Sequence, residues 1–173
     1  MAIFSTEKIR KSILSLLLLF AVSNASKAQI YGASGFDNPT LLEIDITSCA
    51  DCHVTSVMPL NPAWVPEGGL ALCADGTIYS AFHEILYTIN PATNEILQIP
   101  GMPPLPTDYG LNGLTCSGES GLLYGVLDPS FSYELVEIDV NNLTINIIGA
   151  LPFPVYHGMF MHKGNVYASA STG

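Results

Sequence analysis

Basic residues are scarce in this 173-residue chain, in which four lysines and one arginine stand against 15 acids. Lys8, Arg10, Lys11 and Lys27 all precede residue 29, so Lys163 alone faces 14 acids in the rest, Glu7 being the only acid before it. With no arginine after Arg10, there is no guanidinium to clamp a phosphate or carboxylate through two parallel hydrogen bonds. A chain of this sign repels the nucleic-acid backbone and anionic lipid, which excludes nucleic acid as a partner. Long apolar runs are missing too. The one clear run, 13–22, is about ten residues long, against the roughly 20 needed to span a bilayer. No helical periodicity follows it. No Gly-x-Ser-x-Gly elbow is present, and no serine, histidine and acid fall into a catalytic arrangement.

The opening segment has a definite order. Lys8, Arg10 and Lys11 lead into the apolar run, and Ser26, Lys27 and Ala28 end it with small and polar residues. That order predicts a secretory signal peptide over 1–28 with cleavage after Ala28, hence a secreted or cell-surface protein with no membrane span in the mature chain. Acidity then serves solubility outside the cell. Four cysteines in an exported chain favour disulfides over free thiols, and Cys49, Cys52, Cys73 and Cys116 allow three pairings.

Repetition dominates the remaining residues. Tyr31, Tyr79, Tyr124 and Tyr167 recur at intervals of 48, 45 and 43 residues, each read as closing a short apolar strand. Aligned on them, a first strand opens at Gly69, Gly113 and Gly158, and Gly-containing turns follow at 74–77, 117–121 and 163–165. Third strands fall at 42–45, 86–90 and 135–139, a polar turn follows each, and fourth strands run through 54–57, 96–99 and 144–148. Four antiparallel strands in about 45 residues describe the blade of a β-propeller. A β-sandwich would explain the strands but not why the tyrosine strand, the Glu-Ile-Asp strand and the proline connector return in one order.

The motif Leu135-Val136-Glu137-Ile138-Asp139, a polar turn, a strand and Gly149-Ala150-Leu151-Pro152 resembles the propeller-like repeat regions of large exported Bacteroidota surface proteins. The resemblance implies an adhesion-like setting with further domains and a C-terminal sorting signal. The predicted class is all-β, an incomplete propeller over 29–173 with units at about 29–58, 68–101, 112–149 and 157–173. Its strands fall three, four, four and two to a unit. Thirteen strands do not close a ring, which predicts that the reading frame continues past Gly173 into further blades.

Propeller geometry gives each loop a side. Connectors from fourth to first strand share a rim with the second-to-third loops and carry Trp64, Tyr109, Tyr156 and His157, with Phe36, Asp37, His83 and Phe131 beside them. Aromatics on proline-stiffened loops suit a glycan or peptide ligand, and equally they cover the core between blades. All four cysteines fall on the opposite rim. There, bridges Cys49 to Cys52 and Cys73 to Cys116 both fit the repeat, the latter because its cysteines occupy nearly equivalent positions in neighbouring units.

Cys49-Ala50-Asp51-Cys52-His53 also matches the pattern for covalent attachment of c-type haem, with His53 as iron ligand. The motif occupies the turn that 91–94 fills in the next unit without cysteine, so a disulfide is the nearer reading. Zinc on His53 and His162 lacks a second ligand pair of compact spacing, and Asp75-Gly76, Asp128-Pro129 and Asp139-Val140-Asn141 read as turns rather than calcium loops. Asn142-Leu143-Thr144 is a formal glycosylation sequon at a turn. The carboxylate pair Glu137 and Asp139 recurs as Glu43 and Asp45, which argues for a structural role, since an active site is needed once. Taken together, the sequence predicts a non-catalytic interaction or scaffold module of a larger exported protein, without cofactor. The alternatives are a propeller hydrolase or lyase on polysaccharide or peptide, and haem electron transfer.

Overall fold

A computed structural model describes residues 29–34, 40–45, 53–60, 69–107, 111–118, 121–128, 133–152 and 155–170. The predicted signal peptide, Phe36, Asp37, Cys49, Cys52, Trp64, Tyr109 and Phe131 lie outside them. The described residues form antiparallel β-structure without a helix. The first sheet holds β1 (Gln29–Ser34), β2 (Thr40–Asp45) and β3 (His53–Pro59). The second holds β4 (Leu70–Leu72), β5 (Ile78–Phe82), β6 (Ile85–Asn90) and β7 (Glu95–Gln98), and the third β8 (Leu111–Cys116), β9 (Leu122–Leu127), β10 (Glu134–Asp139) and β11 (Thr144–Ala150). β12 (Val155–His162) and β13 (Asn165–Ala170) make the fourth. Within each sheet the strands are neighbours in chain order, so every sheet is a meander.

Alternation along the strands sets which face each sheet buries. In β10, Val136 and Ile138 are fully buried while Leu135, Glu137 and Asp139 between them are half-buried, as expected where successive side chains point to opposite faces. β5 departs from alternation: Ile78, Tyr79, Ser80 and Ala81 are all buried. The reason is position, because the second sheet lies between the first and the third and both of its faces are covered. On one side Ile78 and Ile89 pack with Leu41, Met58 and Leu60. On the other, Ala71, Tyr79, Ala81 and Leu86 pack with Leu114, Cys116, Leu123, Val136 and Ile138. Burying each such leucine or isoleucine contributes about 2 kcal/mol.

The opening strands of successive sheets stand side by side. β8 lies against both β4 and β12, and β1 touches β4. The approach of β12 to β8 is close enough that a Cβ added to Gly113 would sit 2.7 Å from Cγ of Met159. Gly113 is therefore where the third sheet admits the fourth.

Two details correct the expected boundaries. The tyrosines do not close their strands: Tyr31, Tyr124 and Tyr167 are third in β1, β9 and β13, and Tyr79 is second in β5. β8 and β12 also begin before their glycines, at Leu111 and Val155, which takes Tyr156 and His157 out of the connector and into a strand. Irregularities in register between Leu111 and Gly113, and between Val155 and Met159, accommodate these extra strand residues.

Candidate functional site

The connector rim is built where the β5–β6 turn meets the segment that leaves β7. His83 turns the chain with φ +48°, and its ring lies edge-on to Phe82 with centroids 4.3 Å apart. Behind the turn, the Leu105 N–H donates to the Glu84 carbonyl at 2.7 Å and the Ile99 N–H to that of Leu86 at 3.1 Å. These bonds fold the proline segment back against the turn. A notch of about 100 Å³ remains, lined by Glu84, Ile85, Gln98, Met102, Pro103 and Pro104 among others. The third sheet repeats the bond, Leu151 N–H donating to the Tyr133 carbonyl at 2.7 Å. Of the five aromatic and histidine candidates, His83 stands at this turn, Tyr156 and His157 belong to β12, and Trp64 and Tyr109 fall outside the described residues.

The opposite rim carries the turns after the first and third strands. Cys73, just past β4, and Cys116, the last residue of β8, form a disulfide with Cα atoms 5.3 Å apart. This is one of the two bridges expected. The first of the pair stands one position further along its hairpin than the second, since Ala71 pairs with Tyr79 and Thr115 with Tyr124. Cys49 and Cys52 lie outside the described residues, and with them the haem reading.

A groove of about 420 Å³ on this rim is lined by Asp75, Thr77, Thr88, Asn90, Glu95 and Leu97 among others. Its polar groups are committed to the turns themselves. Asp75 Oδ1 accepts the Thr77 N–H at 3.0 Å, Asn90 Oδ1 the Ala92 N–H at 3.0 Å, and Glu95 Oε2 the Thr93 hydroxyl at 2.8 Å. Asp139 repeats the role of Asn90, with Oδ1 accepting from the N–H of Asn141 and of Asn142 at 2.9 and 3.0 Å. The Asn142 side chain adds a bond to Asp139 Oδ2 at 2.6 Å. That bond is the largest cause holding the Asp139 carboxyl below its ordinary pKa, with the backbone bonds assisting. The carboxylate therefore supports its turn fully above the ordinary carboxylate range and loses that support as pH falls through the lowered value.

Glu137 and Asp139 both take part in strand and turn bonds. Tyr124 Oη donates to Glu137 Oε2 at 3.0 Å across the β9–β10 pairing, and Tyr31 stands opposite Glu43 in the same register. Burial, then the Glu43 charge, raises the Tyr31 pKa. Sequence reasoning missed this cross-strand partner, although a glutamate one strand beyond the repeated tyrosine was its visible signal. Among the described residues, no group of three or more His, Cys, Asp or Glu side chains is placed to hold a metal ion, and no helix is long and apolar enough to cross a membrane. His162 is exposed at the end of β12.

Compared with known proteins, the chain matches no family model, and no curated relative matches its sequence.

Proposed function

We propose that the chain is a non-catalytic interaction module of an exported or cell-surface protein, its sheets acting as propeller-type blades and its connector rim holding a peptide segment of a protein partner. The observation that carries the reading is the notch between the β5–β6 turn and Pro103-Pro104, kept open by the Leu105 to Glu84 backbone bond. Its volume of about 100 Å³ receives one side chain. Pockets for whole small molecules start at about 300 Å³, so a peptide that presents one residue fits better than a free sugar. Proline-stiffened walls limit the entropy lost when such a residue docks. Stacking of β4, β8 and β12 supports the blade reading, because neighbouring first strands are what a propeller axis requires. The Cys73–Cys116 disulfide fits an oxidising compartment and so supports export.

Screening the chain, recovered from an exporting host, on peptide and glycan arrays beside Ile85→Arg and Pro103→Ala tests the rim at the notch. Binding of peptides that weakens in both variants is the expected result. Equal signals from all three proteins remove the rim from the reading, and binding confined to glycans replaces the peptide with a carbohydrate.

A further inference from the structure

The notch beside Pro103 is a departure from the repeat rather than part of it. Glu84 and Tyr133 hold equivalent positions, since each precedes the left-handed residue of the following turn, Asn94 or Leu143, by ten residues. In the third sheet the chain reaches Tyr133 directly: Gly149 pairs with Leu135, Ala150 with Glu134, and the Leu151 N–H then donates to the Tyr133 carbonyl. In the second sheet the Ile99 N–H bonds the Leu86 carbonyl at the place of Gly149, but residues 100–104 intervene before Leu105 closes the bond to Glu84. Pro100 and Gly101 open this detour as a turn, with Gly101 at φ +76° and the Met102 N–H donating to the Ile99 carbonyl at 3.4 Å. The third sheet makes the same closing bond without a detour, so completing a unit does not require one.

What the detour adds is an apolar slot with a single acid in its lining. Ile85, Ile99, Met102 and Pro103 are among its walls, and its polar lining residues, Glu84 and Gln98, are both exposed. Glu84 is the one ionisable residue of the lining. Glu137 accepts from Tyr124 and Glu95 from Thr93, whereas among the described residues only the backbone carbonyl of Glu84 is engaged, by Leu105. The neighbouring His83 has its ring against Phe82. Lys163, in the turn between β12 and β13, is the one lysine or arginine after Lys27, so the chain is poor in cations of its own to set beside that carboxylate.

We propose that the notch takes a basic side chain, lysine or arginine, from the partner's peptide: its aliphatic stem lies along Ile85, Met102 and Pro103, and its cationic head meets the Glu84 carboxylate at the solvent. Long basic side chains divide in this way, the stem covering apolar surface while the head stays wet. An acidic residue in the same place would face like charge at Glu84, and a wholly apolar one would leave the carboxylate without a partner. Charge complementarity thus selects the occupant, and the acidity of the whole chain draws a basic segment toward it on approach. Such an occupant presupposes the peptide reading of the connector rim and names the residue that enters it.

Positional-scanning peptide pools, each fixed at one position as Lys, Arg, Leu or Glu, test it when titrated against the parent chain, Glu84→Gln and Glu84→Lys, with Glu95→Gln on the opposite rim as the control for net charge. Glu84 and Glu95 are exposed, and circular dichroism checks that each variant keeps its sheets. The Lys and Arg pools are expected to bind the parent best, Glu84→Gln to weaken them by about threefold, as for an exposed ion pair, and Glu84→Lys to move the preference to the Glu pool. Glu95→Gln should leave the parent's order unchanged. Peptide binding that Ile85→Arg weakens but that shows no preference for Lys or Arg overturns the basic occupant and leaves the peptide reading standing. A basic preference reduced equally by Glu84→Gln and Glu95→Gln, or by neither, overturns it as well, because net acidity would then be the whole attraction. Pools that bind nowhere remove the peptide reading and the basic occupant together.

Discussion

The junction between the second and third sheets and the junction between the first and second use the same repeat positions, and the disulfide described crosses the former. Between the second and third, the buried cluster runs from Ala71 to Ile138, takes in Leu105 and Leu111 from the connector and its following strand, and is crossed by the Cys73–Cys116 disulfide. Between the first and second, the described cluster is Leu41, Met58, Leu60, Ile78 and Ile89. A repeat array is held by the sum of its units and their neighbour interfaces, so a bridge that crosses one junction is expected to divide the array into a part that opens later and a part that opens earlier.

Removing the disulfide breaks the comparison most directly. It closes a separation of 43 residues, and in the chain-entropy account a cross-link over such a loop stabilises by about 4 kcal/mol. Cys73→Ser with Cys116→Ser is expected to lose about that much in urea unfolding. Hydrogen exchange should quicken in β4 and β8 well before it changes in β2. An equal change in all three strands would show that the array unfolds as one unit and that the division is not real.

Core truncations sharpen the same contrast. Leu123→Ala in the bridged junction is expected to cost about 3 kcal/mol, because neighbours held in place cannot collapse into the space. Ile89→Ala in the junction of the first and second sheets should cost about 2 kcal/mol, since the Cys73–Cys116 bridge does not hold its neighbours and they can relax into the space. Equal losses by denaturant titration would remove the distinction between the junctions.

Much of this arrangement was readable because the repeat encodes it locally. Alternation in Leu135-Val136-Glu137-Ile138-Asp139 announces a half-buried strand, and Gly-containing clusters such as Ala74-Asp75-Gly76-Thr77 announce the hairpins. Among the described residues the sheets hold three, four, four and two strands, the expected numbers. Strand starts were less legible. Leu111 and Val155 extend β8 and β12 through irregular register, and that depends on the partner strand rather than on the residues themselves. The Cys73–Cys116 bridge was one of two that fit the repeat positions, and three pairings were open to sequence alone. The notch beside Pro103 was not readable, because it depends on a backbone bond between residues 84 and 105 that carries no side-chain signature.

The smallest expected effect tests how closely the units match at their turns. The β6–β7 and β10–β11 turns both open on a side chain that accepts a backbone N–H, Asn90 and Asp139, and both close on a residue with φ +56°, Asn94 and Leu143. Asparagine tolerates that left-handed conformation, whereas a leucine pays about 1 kcal/mol for it. Leu143 has some compensation, because its Cδ1 would lie 3.2 Å from a Cβ at Gly101 and its side chain is 38 % exposed rather than free. Leu143→Asn is therefore expected to stabilise the chain by about 0.5 kcal/mol, part of the strain relieved being offset by the lost apolar contact. Thermal unfolding beside the parent reads the sign. A lower midpoint would mean that the contact near Gly101 outweighs the backbone strain, and that the third unit keeps leucine there for packing that the second unit does without.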